Sequence, residues 1–356
     1  MSSRLVALVL FAALAGCGRE PPSAHAQPWP EGDALFRGDA LWLGSDGDYS
    51  TPLGGDRVLW VFGDSLVARD ATRNPNGAYF IHNSLAIQTG TDPSQAFIQF
   101  YWGLNSDQPG AFFPEQGDEW FWPSAPARVG SGLMIFAQRV VQRSGGLFGF
   151  EGVGTSAFFI SNPDDDPTRW QVADAHAPDF GNHFILGVAS MIDGDFLYAY
   201  GHDNLLSIGV ARFALKDATA GDLSKVEFFQ GGRWVPAASF SGSPDTLFGL
   251  GPPEASIHFE PRVGEYLFTS TEGLGASTLA FRSAPHPEGP WSEVRSFYRP
   301  PASFGGNAFV YAGKGHPELQ GDGADLVVTY FPSLFSGVSE TLDPNDGYAR
   351  FLKVTF

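Results

Sequence analysis

Glycine and proline recur so often along this chain that long helices have no room to form. There are 44 Gly and 27 Pro among the 356 residues, and almost no stretch beyond ten residues keeps a 3.6-residue apolar period free of them. Apolar burial must therefore come from short extended segments. Such runs follow one another at a steady spacing, beginning with Val58-Leu-Trp-Val-Phe62, Ser84-Leu-Ala-Ile-Gln88, Gly132-Leu-Met-Ile-Phe136 and Ser156-Ala-Phe-Phe-Ile160. They continue with Phe196-Leu-Tyr-Ala-Tyr200, Ser207-Ile-Gly-Val-Ala211, Glu265-Tyr-Leu-Phe-Thr269, Ser277-Thr-Leu-Ala-Phe281, Asp325-Leu-Val-Val-Thr329 and Phe351-Leu-Lys-Val-Thr-Phe356. β-Branched and aromatic residues fill them, and turn residues separate nearly all of them. The expectation is an all-β fold.

Several runs share a hairpin pattern: a small or polar strand, a Gly-Asp or Gly-Gly turn, an aromatic-rich strand, then a third apolar strand. Ser50 to Phe62 and Ala189 to Tyr200 are examples, and Ser256 to Phe268 follows the same order with a Gly-Glu turn. Units near residues 40–90, 120–162, 184–213, 250–283 and 305–356 have the size of propeller blades. The pattern predicts a five-bladed β-propeller, closed by pairing of the C-terminal strand with the first blade. A β-sandwich is the alternative.

The N-terminus reads Met-Ser-Ser-Arg, an apolar run from Leu5 to Ala15, then Leu14-Ala15-Gly16-Cys17. This resembles the lipobox of bacterial lipoproteins, and the apolar run is too short to span a bilayer. The expected organisation is a signal peptide over 1–16, a lipidated Cys17 with a flexible linker over 17–31, and one catalytic domain over 32–356. Membrane attachment would come through the acyl chains alone. Gly18 after the cysteine points to a secreted lipoprotein at the outer membrane or cell surface. Cys17 is the only cysteine, so an intramolecular disulfide, a thiolate metal site and a cysteine nucleophile are all excluded. Stability must come from the core, for which 32 Phe, 9 Trp and 10 Tyr are ample.

The formal charge of −18, with no Lys/Arg cluster to release counterions, excludes nucleic acid as a partner. A neutral polysaccharide meets no such repulsion. Gly44-Ser-Asp-Gly-Asp-Tyr-Ser50 and Leu59-Trp-Val-Phe-Gly-Asp-Ser65 set Asp46 before the first strand of a hairpin and Asp64 just after its second. In an antiparallel hairpin those two points share one edge. Asp46 and Asp64 can therefore face each other, and a carboxylate pair is the minimum equipment for glycoside hydrolysis, one as acid and the other as base or nucleophile. Both are also ordinary turn residues, and that reading stays open.

The segment Gly44 to Ser65 resembles the opening motif of a family of five-bladed propeller glycoside hydrolases that includes bacterial endo-D-arabinanases and was formerly a domain of unknown function. Its members read approximately Gly-x-Asp-Gly-x-Tyr-Ser, a short turn, then Leu-Trp-x-Phe-Gly-Asp-Thr/Ser. Weaker likeness runs through His82-Asn-Ser84, Phe121-Trp-Pro123, Glu254 to His258, Glu288 to Ser292 and Gly315 to Leu319. The resemblance implies that Asp46 and Asp64 are the catalytic pair, and that Asp48, where the family varies, is a turn or surface residue. It also implies Glu254 as a third catalytic candidate, since related propellers place acids from separate blades around the channel.

Asn83 and Trp122 are candidate substrate-binding residues, one to hydrogen-bond a sugar and one to stack on it. His316 and Glu318 are further candidates, able to bind hydroxyls or tune a carboxylate; a structural histidine is the alternative. No cofactor is expected; a structural calcium at Asp164-Asp-Asp166 stays open, although the spacing is not that of an EF-hand. No Gly-x-Ser-x-Gly elbow, His-Glu-x-x-His, Walker loop or dinucleotide fingerprint occurs. The functional expectation is a monomeric glycoside hydrolase that cleaves furanoside polysaccharide, endo-acting on D-arabinan of the arabinogalactan or lipoarabinomannan type. A non-catalytic carbohydrate-binding or protein-docking propeller is the alternative.

Overall fold

The run Val58 to Phe62 is apolar at every position because its sheet is covered on both faces. In the computed structural model, Val58, Trp60 and Phe62 point into one aromatic cluster and Leu59 and Val61 into another, as the two-residue period of a strand requires. The structure describes residues 21–144, 149–240, 242–273, 277–301, 308–321, 323–334 and 347–356. The lipobox and Cys17 lie outside them.

Five antiparallel sheets of four or five strands account for most of the chain. Sheet I contains Tyr49–Gly54, Arg57–Phe62, Ser84–Thr89 and Phe97–Tyr101. Sheet II contains Glu119–Val129, Gly132–Gln142, Phe150–Ile160 and Val172–Asp174. Sheet III runs Ile185–Asp193, Phe196–His202, Ile208–Ala214, Val226–Gln230 and Arg233–Pro236, and sheet IV runs Ser256–Glu260, Glu265–Glu272, Thr278–Ala284 and Arg295–Tyr298. Sheet V runs Ala308–His316, Leu326–Leu334 and Arg350–Thr355 and is completed by His25–Pro28. A small sheet of Trp42–Ser45, Ser65–Val67 and Tyr79–Ile81 sits at one end of sheet I.

Consecutive sheets bury aromatic clusters between them. Tyr198 and Tyr200 of sheet III meet Phe268 of sheet IV in one cluster; Leu279 and Phe281 of sheet IV meet Val328 and Leu352 of sheet V in the next. Between sheets V and I, Phe36 is enclosed by Trp42, Trp60, Phe62, Phe100 and Phe351, with ring centroids 4.9–6.3 Å away. The first strands touch in order, I to II, II to III, III to IV, IV to V, and V back to I. At their meeting point the Val188 carbonyl of sheet III accepts the Tyr49 hydroxyl of sheet I at 3.1 Å and the Ala255 amide before sheet IV at 3.1 Å.

Two expectations are corrected. The C-terminal strand does not join sheet I; Arg350–Thr355 lies inside sheet V, between Leu326–Leu334 and His25–Pro28. For the same reason residues 25–28 are not linker: His25 to Pro28 pair with Thr355 to Leu352, satisfying the backbone groups of a strand that would otherwise be an open edge.

Phe36→Ala empties the cluster between sheets V and I, with an expected loss of about 3–5 kcal/mol of unfolding free energy. Denaturant unfolding measures it; a loss below about 1 kcal/mol would mean that the two sheets do not depend on this cluster.

Candidate active site

The small sheet fixes the two aspartates. Ser45 pairs with Ser65, the Gly63 amide donates to the Asp46 carbonyl at 2.9 Å, and the Ser45 hydroxyl donates to the Asp64 carbonyl at 2.9 Å. The Asp46 side chain then crosses Gly63 so closely that a Cβ there would stand 2.5 Å from Oδ1. Glycine at 63 is thus a packing requirement of the Asp46 carboxylate, which also explains why Gly precedes Asp64.

The two carboxylates differ in setting. Asp46 Oδ2 accepts the Tyr311 hydroxyl at 2.6 Å. Burial, then the negative charges of Asp64 and Glu254, hold the Asp46 carboxyl well above the usual range, against the opposing hydrogen bond from Tyr311. Asp64 is partly exposed, and its Oδ1 accepts the Trp122 indole N–H at 2.8 Å and meets His82 Nδ1 at 3.1 Å. The His82 ring lies flat on Trp120, 4.4 Å between centroids at 11°. The motif therefore places one carboxyl whose hold on its proton is strengthened by burial and neighbouring charge and one whose Oδ1 is an oriented acceptor.

Glu254 joins this pair. Its Oε2 takes a hydrogen bond from Lys314 Nζ at 3.1 Å, and its charge bears on both Asp46 and Asp48. Asp48 contradicts its expected place as a turn or surface residue. It is wholly buried in left-handed backbone (φ 46°), and neither carboxylate oxygen has a hydrogen-bond partner among the described residues. Burial pushes its pKa up to about 8, with Lys314 opposing and Glu254 adding to the rise. The Asp-Gly-Asp pattern looks like a surface turn because local sequence does not show that the segments bearing Lys314 and Glu254 come near enough to act on it.

The remaining candidates divide. Trp122 stands at the site as the donor to Asp64. Asn83 does not serve it: the side chain is fully buried, its oxygen accepting the Phe113 amide at 2.7 Å and its nitrogen donating to the Phe113 and Phe121 carbonyls at 3.1 and 3.0 Å. With those atoms committed to the backbone, Asn83 is a clamp between sheets I and II, which corrects its expected role. His316 and Glu318 meet at Ser50, whose hydroxyl lies 2.5 Å from His316 Nδ1 and donates to Glu318; His316 Nε2 lies 2.7 Å from Thr329 Oγ1. Burial pushes His316 down to about 3 and Glu318 upward. Both line a cavity of about 370 Å³ walled by the first strands of the five sheets, to which Asp46, Asp64 and Glu254 do not contribute. Lys314, the partner of Glu254, lines the same cavity. Asp164 is paired with Arg128 at 2.9 Å and Asp166 caps the Pro167–Arg169 turn. Tyr311, Lys314 and His82 are residues that sequence reasoning passed over; the Tyr-x-x-Lys spacing carries no recognisable signal.

The family model described as a domain of unknown function (DUF5005) matches residues 31–337. The chain belongs to this family. No curated protein matches the DUF5005 chain. Among solved structures it shares its fold with a presumptive hydrolase from Bacteroides ovatus, at 18% identity and a TM-score of 0.72 over 93% of this chain and 90% of that one. More distant likenesses are the GH43_1 enzyme of Xanthomonas citri complexed with xylotriose (13% identity, TM-score 0.47, 92% of this chain and 93% of that one) and the α-L-arabinofuranosidase of Podospora anserina in complex with cellotriose (11%, 0.47, 90% and 92%).

The Asp48 environment predicts a pH effect. Its folded-state pKa of about 8 lies above the ordinary 3.8, so its contribution to stability is complete below the ordinary value and is lost as pH rises through about 8. Asp46 acts in the same direction. The melting temperature should fall between pH 5 and pH 9, and Asp48→Asn should make that fall shallower, leaving the variant the more stable form at pH 9. Thermal scans across this range decide; an unchanged slope in the variant would show that Asp48 is not buried as an acid.

Proposed function

We propose that this protein is a five-bladed β-propeller glycoside hydrolase that cleaves furanoside polysaccharide, endo-acting on D-arabinan. The observation that carries the reading is the pairing of two unlike carboxyls, Asp46 buried beside a phenol and Asp64 hydrogen-bonded and open, on one clamped hairpin end. The ring of first-strand contacts, with sheet V returning to sheet I, supports the propeller.

In the proposed reaction the Asp46 carboxyl gives its proton to the glycosidic oxygen as the C–O bond breaks. The Asp64 carboxylate, on the other side of the anomeric carbon, attacks that carbon or takes the proton of an attacking water. Glu254 adds negative charge that favours the cationic transition state. Trp122 and the stacked Trp120–His82 pair offer flat faces to sugar rings. No metal enters this scheme, and the enzyme is proposed to act as a monomer. Anchoring through acyl chains on Cys17 at the outer membrane or cell surface is proposed from the lipobox alone.

The reading is tested by sugar release from arabinan, arabinogalactan and other envelope polysaccharides. Asp46→Asn and Asp64→Asn should each lower kcat by about 10²–10⁴-fold with little change in melting temperature. An aryl furanoside, whose leaving group needs no proton, should restore turnover to Asp46→Asn and not to Asp64→Asn. Full activity in either variant removes that residue from catalysis. Glycan binding without release by the folded wild type would favour a carbohydrate-binding propeller instead.

A further inference from the structure

Tyr311 and Lys314 stand three residues apart on the first strand of sheet V, where regular pleating would send them to opposite faces. Both instead reach the acidic cluster. The strand slips register between them, Ala312 takes φ 58°, and Gly313 packs so tightly on the Ser270–Thr271 backbone that a Cβ would lie 2.9 Å away. Such a bulge adds a residue to one strand and re-aims the side chains beyond it. One irregularity thereby serves two carboxylates: Tyr311 donates to Asp46 at 2.6 Å and Lys314 donates to Glu254 at 3.1 Å.

The lysine is placed where water cannot solvate it. Its side chain is only 1% exposed; its ammonium lies 4.2 Å from the centre of the Tyr49 ring and 3.4 Å from the Ala312 carbonyl oxygen. A buried ammonium is tolerated only when paired, and here the pairing is with Glu254, with the buried Asp48 close enough to feel its charge. The charges acting on Asp46 are those of Asp64, Glu254 and Asp48, all negative. Lys314 is the cation inserted among them, from a sheet other than the ones that carry these acids. Glu254, between sheets III and IV, has its backbone held by the Ala255 amide on the Val188 carbonyl, so the remaining freedom is that of its side chain, which the ammonium fixes.

We propose that Lys314 is a positioning residue: its ion pair, delivered by the bulge at Ala312-Gly313, aims the Glu254 carboxylate at the centre shared by Asp46 and Asp64 and makes Glu254 the third functional carboxylate. The inference rests on the glycoside hydrolase reading.

The test compares wild type, Lys314→Met, Glu254→Gln and the double variant of the full chain, by arabinan kinetics and by thermal unfolding. Lys314→Met should lower kcat on the order of 10²-fold with KM changed less than about twofold, Glu254→Gln should lower it similarly, and the double variant should be no slower than the slower single one, because both changes remove one interaction. In unfolding, Lys314→Met should melt earlier than wild type, and adding Glu254→Gln should recover part of the loss by removing the uncompensated acid. Multiplicative losses in kcat, or normal kcat in a folded Lys314→Met, overturn the proposal. Should wild type release no sugar from any glycan, the hydrolase reading fails separately; the unfolding cycle then still decides the pairing, additive shifts overturning it and recovery in the double variant supporting it.

Discussion

The convergence of five strands on one small region governs everything else in this structure. The Val188 carbonyl receives donors from the Tyr49 side chain and the Ala255 backbone, so segments from sheets I, III and IV share a single oxygen. Ser190 of sheet III donates to the Ala125 carbonyl of sheet II at 2.8 Å, and Lys314 of sheet V lies over Tyr49. Such contacts require strands to meet side by side at close range. The aromatic clusters on both faces of the sheets hold them there by removing large apolar areas from water.

That crowding is also what creates the chemistry. Carboxylates that would be ordinary surface groups on separate loops are brought near one another, with Asp46 and Asp48 out of solvent's reach. Burial and negative charge then act on Asp46 and Asp48 in the same sense, while Asp64, at the edge of the cluster, keeps the Trp122 N–H donor and the His82 ring nitrogen beside it. Two acids from one short motif thus meet different surroundings, Asp46 buried and raised by burial and neighbouring negative charge, Asp64 partly exposed and hydrogen-bonded. The irregularities of the first strands belong to the same design. Register shifts between Ser124 and Ala127, Leu186 and Ala189, and Tyr311 and Lys314 bend strands toward the centre and decide which side chains reach it.

How much of this was legible in the chain depended on the range of the interaction. The runs around Trp60, Phe136, Tyr200 and Phe268 are recognisable as strands because short β-branched and aromatic runs bounded by turn residues are local properties. The neighbourhood of Asp46 and Asp64 was recognisable for the same reason, both ends of a hairpin being tied by its own hydrogen bonds. The role of Asn83 is not local, because its amide is consumed by the backbone at Phe113 and Phe121, and neither is the setting of Asp48, on which the distant Lys314 and Glu254 act by charge. The strand His25–Pro28 reads as linker in the sequence because its partner lies at the far end of the chain.

The sequence by itself determined an all-β chain built of repeated hairpins, with two aspartates at one hairpin edge, since pleating, turn chemistry and antiparallel pairing act between near neighbours. Only the tertiary structure decided that Glu254, Tyr311 and Lys314 join those aspartates, that Asp48 is sealed from water, and that His316 and Glu318 meet at Ser50. Burial and charge are set by whichever segments pack together, and no local pattern in the chain records the depth at which a side chain will finally rest.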